Sequence, residues 1–190
     1  MAIDTLLPAD SVRVLPGEYF ATSRDVAIVT VLGSCVAACV RDRKAGIGGM
    51  NHFMLPRGRD EPGPASSSAR YGVQAMELLI NHLVRLGARR CNLEAKVFGG
   101  GNVLAGFTAM NVGRANAEFV AEFLRAESIP VAASDLQGSA SRKVCYFPAT
   151  GRVLVRALQN GQVRTVAERE ERYVKTLAHL PASGDVEFFR

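Results

Sequence analysis

Cys35 and His52 are the two residues whose types and spacing could do nucleophilic chemistry. They stand on either side of an apolar segment that one polar turn interrupts, at residues 42–46. A hairpin about this turn would pair Arg41 with Gly46 and Cys35 with His52, and directly opposed side chains in an antiparallel pair lie about 5 Å apart. The spacing therefore predicts a thiol beside an imidazole base, which is the arrangement that cysteine-dependent acyl chemistry uses.

The residues just before Cys35 are compatible with two local structures. Gly33 permits a sharp turn and Ser34 is a suitable N-cap, so Cys35 could also begin a short helix whose N-terminus would lower the thiol pKa. The hairpin is favoured because β-branched apolar residues flank the polar turn. In both cases the backbone N–H groups of Gly33 and Ser34 are expected to bind an oxyanion. The alternative without catalysis is an inert cysteine buried in an apolar strand.

The composition is that of an ordinary globular protein. The chain has 190 residues, of which 48% are hydrophobic and 22% charged. This predicts one domain over residues 1–190. Residues 168–173 are charged and helix-prone, and the C-terminal segment at 159–190 is expected to be peripheral. Residues 1–20 lack the basic start and apolar stretch of a secretory signal, and no apolar run is long enough to cross a bilayer, so we expect a cytoplasmic protein without membrane insertion.

Charge and cysteine usage narrow the possible partners and cofactors. The net charge of +5 comes from scattered arginines, and there is no tryptophan and no basic stripe interleaved with aromatics. Nucleic-acid binding is therefore not expected, whereas a mildly basic surface favours an acidic protein partner. The four cysteines form no Cys-x-x-Cys pair and the three histidines are scattered. We therefore expect reduced thiols and no metal site.

Hydrophobic periodicity predicts an α+β fold, with a mostly antiparallel sheet core and two main helices. The helices are predicted at residues 70–87 and 113–126, and strands at 18–31, 91–98, 129–134, 143–147 and 152–158. Residues 56–69 are rich in proline, glycine, serine and charge, which predicts either a solvated connector or a substrate-binding flap. Gly99, Gly100 and Gly101 follow a predicted strand, and they form either a tight turn or a close approach of the backbone to the active site.

Seven short segments carry a more specific inference: Thr30–Val36, Gly49–Pro56, Lys96–Gly101, Asn111–Asn116, Asp135–Gly138, Arg142–Val144 and Thr150–Val153. In this order they resemble the CheD family of chemoreceptor glutamine deamidases. The resemblance covers about residues 17–158, which it implies are the core of the domain. It implies hydrolysis of selected glutamine side chains to glutamate on methyl-accepting chemotaxis receptors, through a thioester. It maps a catalytic set of cysteine, histidine and threonine onto Cys35, His52 and Thr30, with no cofactor.

The resemblance also implies a fold similar to toxin-type cysteine deamidases. Asn51, Phe98 and the three glycines at 99–101 are expected near the substrate, and an active nucleophile requires a pKa below the ordinary thiol value at Cys35. The implied partners are the cytoplasmic helical region of the receptors and, for some family members, a CheC-type phosphatase. Hydrolysis of glutamate methyl esters would be a side activity.

Two other functions fit the same residues. Another cysteine-dependent amidase or a peptidase could use a Cys–His pair on a different amide. A non-catalytic chemotaxis adaptor could bind receptors or a phosphatase, although it would have no need for all of Cys35, His52 and Thr30. Substitution of Cys35 separates the enzyme from the adaptor.

Overall fold

The computed structural model describes residues 10–55, 67–102, 112–158 and 160–177. The strands are β1 Ser11–Arg13, β2 Tyr19–Thr22, β3 Ala27–Leu32, β4 Val36–Asp42, β5 Gly48–Asn51, β6 Leu93–Gly99, β7 Val131–Leu136, β8 Arg142–Phe147 and β9 Arg152–Ala157. The helices are α1 Ser67–Arg85, α2 Val112–Ala126 and α3 Asn160–Leu177, and a 3₁₀ turn lies at Arg90–Asn92. The predicted α+β class is confirmed. Besides the two main helices that were predicted, the described residues contain α3, which includes the segment 168–173 that was predicted to be helix-prone.

The predicted flap or connector at residues 56–69 falls largely outside the described residues, which resume at Ser67 with the first turn of α1. Among the helices of the described part of the chain, none is long and apolar enough to cross a membrane.

The strands form two mixed sheets. The first has the order β1-β3-β8-β9 and the second the order β2-β5-β4-β6-β7. Among the strands of the described residues, only the pairs β1–β3 and β6–β7 are parallel, so the sheets are mostly antiparallel, as predicted. The chain crosses between the two sheets more than once, and the crossing at the turn between β3 and β4 contains Cys35.

The two sheets pack face to face, and α1 and α2 cover the outer face of the second sheet. Strand alternation explains the layers. In β4, Ala37 and Cys39 face the first sheet, whereas Val36, Ala38 and Val40 face the helices. The helices contribute an apolar stripe at helical spacing, which in α1 consists of Met76, Leu79, Ile80 and Leu83. The active-site candidates thus lie between the sheets.

The predicted end of α1 is confirmed in detail. Gly87 has φ +106°, and the N–H of Ala88 donates to Leu83 while the N–H of Gly87 donates to Val84. This pair of bonds is a Schellman motif, whose left-handed residue is most often glycine because a Cβ would be strained there.

The predicted hairpin exists, but its register is shifted by two residues. Arg41 pairs with Gly48 and not with Gly46, and Cys35 lies just before β4, with Val36 bridging to Phe53. The turn is longer because the carboxylate of Asp42 accepts the N–H groups of two turn residues. A shift of two keeps every side chain on its predicted face. The alternative with Cys35 at a helix N-terminus is wrong, since a strand follows it.

Candidate active site

The fold brings Cys35, His52 and Thr30 together between the two sheets. Thr30 lies on the inner face of β3, His52 directly follows β5, and Cys35 lies in the turn that joins the sheets. All three are almost completely buried, with exposed fractions of 0%, 2% and 1% for Cys35, His52 and Thr30. The Cys35 sulfur and a ring nitrogen of His52 lie within 4.8 Å of each other. The predicted pair is therefore close in space, although its members are not directly opposed in the ladder.

The Thr30 hydroxyl determines the tautomer of His52. Its Oγ1 donates to the carbonyl of Val14 at 2.7 Å, and it lies 2.8 Å from His52 Nδ1. Because the one hydroxyl proton is used on Val14, Nδ1 must carry the proton and donate to Thr30. His52 Nε2 then keeps its lone pair, and it has no hydrogen-bond partner among the described residues. This leaves Nε2 available to accept a proton from the thiol.

The turn at residues 33–35 is fixed by hydrogen bonds that its three carbonyl groups accept. The N–H of Gly101 donates to the Gly33 carbonyl and the N–H of Gly100 donates to the Cys35 carbonyl, both at 2.7 Å. The carbonyl of the residue between them is bound by a side-chain amide of α2. With its carbonyls fixed on one side, the turn presents its N–H groups on the other. A Cβ on Gly99 would lie 2.2 Å from the Cys35 carbonyl oxygen, so only glycine permits this approach.

Asn116 links this turn to α2 and to the chain beyond His52. Its Nδ2 donates to the Ser34 carbonyl at 2.8 Å, and its Oδ1 accepts the N–H of Leu55 at 2.8 Å. The residue is fully buried. It belongs to one of the segments that carry the family resemblance, but no role was predicted for it. Its two hydrogen bonds make it a support for the turn.

The N–H groups of the turn converge on the carboxylate of Glu170, in α3. Glu170 Oε1 accepts from Gly33 at 2.9 Å and from Cys35 at 3.1 Å, and Oε2 accepts from the Ser34 N–H at 2.8 Å and its hydroxyl at 2.6 Å. The residue is 1% exposed. The segment that was expected to be peripheral therefore places a buried carboxylate against the candidate nucleophile.

Sequence reasoning missed Glu170, although a signal for it exists. Residues 166, 170, 173 and 177 fall on one face of a helix, and three of them are apolar or aromatic: Val166, Tyr173 and Leu177. A single carboxylate in the centre of an apolar helical face indicates a buried acid with specific partners.

The protonation states follow from burial and from Glu170. Burial raises the pKa of the Cys35 thiol well above its ordinary value, and the charge and hydrogen bonding of Glu170 raise it further. Burial lowers the pKa of His52 to about 4, against the opposing effect of Glu170. At neutral pH the pair is therefore a thiol and a neutral imidazole. The expectation of a lowered pKa at Cys35 is wrong for this arrangement, because the site is closed and holds a carboxylate.

The other residues predicted near the substrate have different surroundings. The Asn51 side chain lies between β4 and α1: its Oδ1 accepts the N–H of Ala38 in β4, and its Nδ2 donates to the carbonyl of Ala75 and the sulfur of Met76 in α1. Phe98 is 4% exposed and packs in the same cluster between the sheets as the candidate nucleophile. All four cysteines are free, and only Cys91 is exposed.

Cys35, His52 and Glu170 are also residue types that bind a metal ion, and their ligand atoms lie within 4.8 Å of one another. The surroundings favour an anion instead. Both carboxylate oxygens of Glu170 already accept hydrogen bonds from the turn, and three backbone N–H groups direct positive partial charge at the same point.

A cleft of about 280 Å³ lies beside the site, between β1, β3 and α3. Thr30 and His52 form part of its lining, and its basic lining residues are Arg13, Lys143, Arg156 and Arg169. Such a lining is suited to an acidic partner.

Comparison with known proteins determines the family. The family described as "CheD chemotactic sensory transduction" matches residues 54–157. A protein of Thiobacillus denitrificans is 57% identical over 187 residues, covering 98% of this chain and 93% of that protein. The chain belongs to the CheD family. The matched relative is named "Probable chemoreceptor glutamine deamidase CheD".

Further relatives of the CheD family are similar over the same length. A protein of Methylobacillus flagellatus is 55% identical and covers 98% of this chain and 93% of its own length. One of Janthinobacterium sp. (strain Marseille) is 56% identical, with 98% and 92% covered. Both have the same name as the first. The crystal structure of the Bacillus licheniformis hypothetical protein YfiH is remotely similar, at 12% identity and a TM-score of 0.38, over 64% of this chain and 49% of that one.

Proposed function

We propose that this protein deamidates glutamine side chains on chemoreceptors, with Cys35 as nucleophile, His52 as base and Thr30 as the group that orients His52. One observation carries the proposal. The turn beside Cys35 already holds the end of an acidic side chain, that of Glu170, through three N–H groups and a hydroxyl. Glutamine and glutamate side chains have the same length, so a substrate carboxamide fits the same position with its oxygen in place of Glu170 Oε1, which accepts from Gly33 and Cys35. Membership of the CheD family gives the substrate class.

The reaction follows from the positions of the groups. His52 Nε2 takes the proton of the Cys35 thiol, and the sulfur forms a bond to the carboxamide carbon. The negative charge that develops on the amide oxygen is stabilised by the N–H groups of residues 33–35, and in comparable sites one such donor contributes about 3–4 kcal/mol. The imidazolium then gives its proton to the nitrogen, the C–N bond breaks, and ammonia leaves.

Hydrolysis of the thioester completes the cycle. Water gives a proton to His52 and its oxygen bonds to the acyl carbon, after which the S–C bond breaks and the imidazolium returns its proton to the Cys35 sulfur. The carboxylic acid that is formed loses its proton to solvent and leaves as glutamate. A methyl ester has the same acyl carbon with methanol as leaving group, so hydrolysis of glutamate methyl esters is proposed as a side activity.

The proposed substrate region is the cytoplasmic helical part of the receptors, and the proposed location of the protein is therefore the cytoplasm. The basic cleft beside the site supports an acidic partner there, and a CheC-type phosphatase is a further proposed partner.

The experiment uses intact-mass analysis of a receptor cytoplasmic fragment incubated with three proteins: wild type, Cys35→Ala and Cys39→Ala. Cys39 is the matched control, because it is a second cysteine buried between the same sheets but outside the turn. We expect a gain of about 1 Da per modified glutamine and release of ammonia with wild type and Cys39→Ala, and neither with Cys35→Ala. An unchanged fragment that still co-elutes with wild type would favour the adaptor, and cleaved fragments would favour a peptidase.

A further inference from the structure

One face of α3 is buried against the candidate active site, as the face of a bound helix would be. Val166, Glu170 and Leu177 are 4%, 1% and 5% exposed, whereas the neighbouring Glu171 is exposed. Leu177 packs in the cluster between the sheets, and Val166 lines the cleft beside His52. An apolar helical face with one central carboxylate is thus inserted at the candidate active site.

The carboxylate of Glu170 occupies the N–H groups that would stabilise the amide oxygen in the proposed reaction. The N–H groups of Gly33, Ser34 and Cys35 would have to release Glu170 before they could bind a substrate amide. Glu170 also has the chemistry of the reaction product, a side-chain carboxylate of the same length. One oxygen of this carboxylate lies within 4.8 Å of the Cys35 sulfur. The substrate and α3 therefore cannot occupy the site together.

A second contact anchors the same helix one turn further along. The hydroxyl groups of Tyr173 and Tyr71 are 2.5 Å apart, which ties α3 to α1. The Tyr173 hydroxyl would lie 2.5 Å from a Cβ on Gly17, so the absence of a side chain at Gly17 makes room for it.

We propose that α3 is an intramolecular product-like ligand, with Glu170 in the place of the product carboxylate, and that the groove it occupies is where the receptor helix binds. This rests on the proposed function, since it identifies the groove as the substrate site. The receptor helix must displace α3 before its glutamine reaches Cys35. The closed form is then inactive, which agrees with the pKa of the Cys35 thiol, since burial raises this pKa and Glu170 raises it further.

The face of α3 also indicates which glutamines are chosen. Relative to Glu170, Val166 lies four residues before, Tyr173 and Val174 three and four after, and Leu177 seven after. All are partly or fully buried. A receptor helix that takes the place of α3 should therefore carry apolar residues at −4, +3 or +4, and +7 from the modified glutamine.

The first test measures access to Cys35 and needs no receptor. The full-length protein is treated with iodoacetamide, and alkylation of Cys35 is followed by peptide mass spectrometry, with the exposed Cys91 as internal reference. The variants are Glu170→Ala, which removes the carboxylate, and Tyr173→Ala, which keeps it but loosens α3. The control is Glu171→Ala, on the exposed face. We expect alkylation of Cys35 to be about tenfold faster or more in the first two variants and unchanged in the control.

The second test uses turnover. With a receptor cytoplasmic fragment, we expect Glu170→Ala and Tyr173→Ala to deamidate faster than wild type, again by about tenfold or more, and Glu171→Ala to equal wild type. The Glu170→Gln variant should act on itself. The carboxamide that this change introduces would lie where a substrate amide lies, so the purified protein should gain about 1 Da and release ammonia, whereas the same change combined with Cys35→Ala should keep the carboxamide.

The two proposals fail in different ways. If Cys35 is alkylated no faster in Glu170→Ala and Tyr173→Ala than in wild type, α3 does not close the site and the inference is wrong. The same holds if Glu170→Ala slows receptor deamidation, because Glu170 would then support catalysis. The Glu170→Gln protein gives a separate outcome. If it keeps the introduced carboxamide but still modifies the receptor, Glu170 does not occupy the position of the product carboxylate. If instead Cys35 opens as expected while no variant modifies the receptor fragment, the closure stands and the proposed function fails.

Discussion

Removal of the Thr30 hydroxyl by Thr30→Val tests how far the site depends on the orientation of His52. Valine keeps the shape of the side chain but forms no hydrogen bond. His52 Nδ1 and the Val14 carbonyl, which lie 2.8 and 2.7 Å from the Thr30 hydroxyl, therefore each lose a hydrogen-bond partner. The groups are buried, and an unsatisfied buried polar group costs about 1–3 kcal/mol. If the transition state needs His52 in this orientation and tautomer, the same 1–3 kcal/mol is added to the activation free energy, and kcat/KM falls by roughly 5- to 150-fold.

The assay is the time course of receptor-fragment deamidation followed by intact mass. We expect kcat to fall by the same factor and KM to change little, because Thr30 contacts His52 and not the substrate. Thr30→Ser restores a hydroxyl and should return kcat to within a few-fold of wild type. The matched control is Thr22→Val. Thr22 is a second buried threonine, and its hydroxyl accepts the N–H of Arg24 in the loop before β3.

Two results would refute this role of Thr30. A Thr30→Val protein with wild-type kcat would show that Thr30 does not orient His52. Equal losses in Thr30→Val and Thr22→Val would show that the effect comes from lost stability and not from the site. Urea unfolding of both variants measures that stability, which we expect to fall by about 1–3 kcal/mol in Thr30→Val and by about 0.5–1.5 kcal/mol in Thr22→Val, because the N–H of the exposed Arg24 can bind water instead.

Two further predictions concern the supports of the site. Asn116→Asp places an acceptor against the Ser34 carbonyl in place of a donor at 2.8 Å, so we expect kcat/KM to fall by roughly 5- to 150-fold in the same assay; an unchanged value would show that the turn does not need this bond. At Asp42, burial would raise the pKa of the carboxyl, but the N–H groups of Arg89 and two turn residues and the amide of Asn92 lower it to about 2. Its stabilising effect is therefore full above the unfolded value of about 4 and is lost as the pH falls toward 2. Asp42→Asn should cost stability in urea at pH 7, and the difference from wild type should narrow by about pH 3; a difference independent of pH would contradict this role.

Local patterns in the sequence predicted the elements of the site better than its long-range contacts. The hairpin, the Gly87 helix end and the turn at Cys35 depend on nearby residues, and all are present. The register was wrong by two because it depends on how the side chain of Asp42 folds the turn. Propensities alone do not determine such a side-chain bond.

The contacts of Asn116 and Glu170 could not be predicted in the same way. Asn116 reaches a carbonyl 82 residues away, and Glu170 reaches N–H groups 135 to 137 residues away. Both contacts depend on how whole layers pack. The segment around Glu170, Arg-Glu-Glu-Arg-Tyr at 169–173, has the composition of a solvated helix. Its alternating charges obscured the apolar face on which Glu170 lies.

A short connection joins α3 to the first sheet, because β9 ends at Ala157 and α3 begins at Asn160. Its length determines how strongly α3 competes with a receptor helix for the groove. A ligand tethered by a short segment acts at an effective concentration on the order of millimolar, whatever the concentration of the protein. On the proposed exchange, a single receptor helix at micromolar concentration displaces α3 only if it binds the groove far more tightly. Many helices held side by side raise their own local concentration to a comparable level. Activity would then report how densely the substrate is clustered, in addition to how much of it is present.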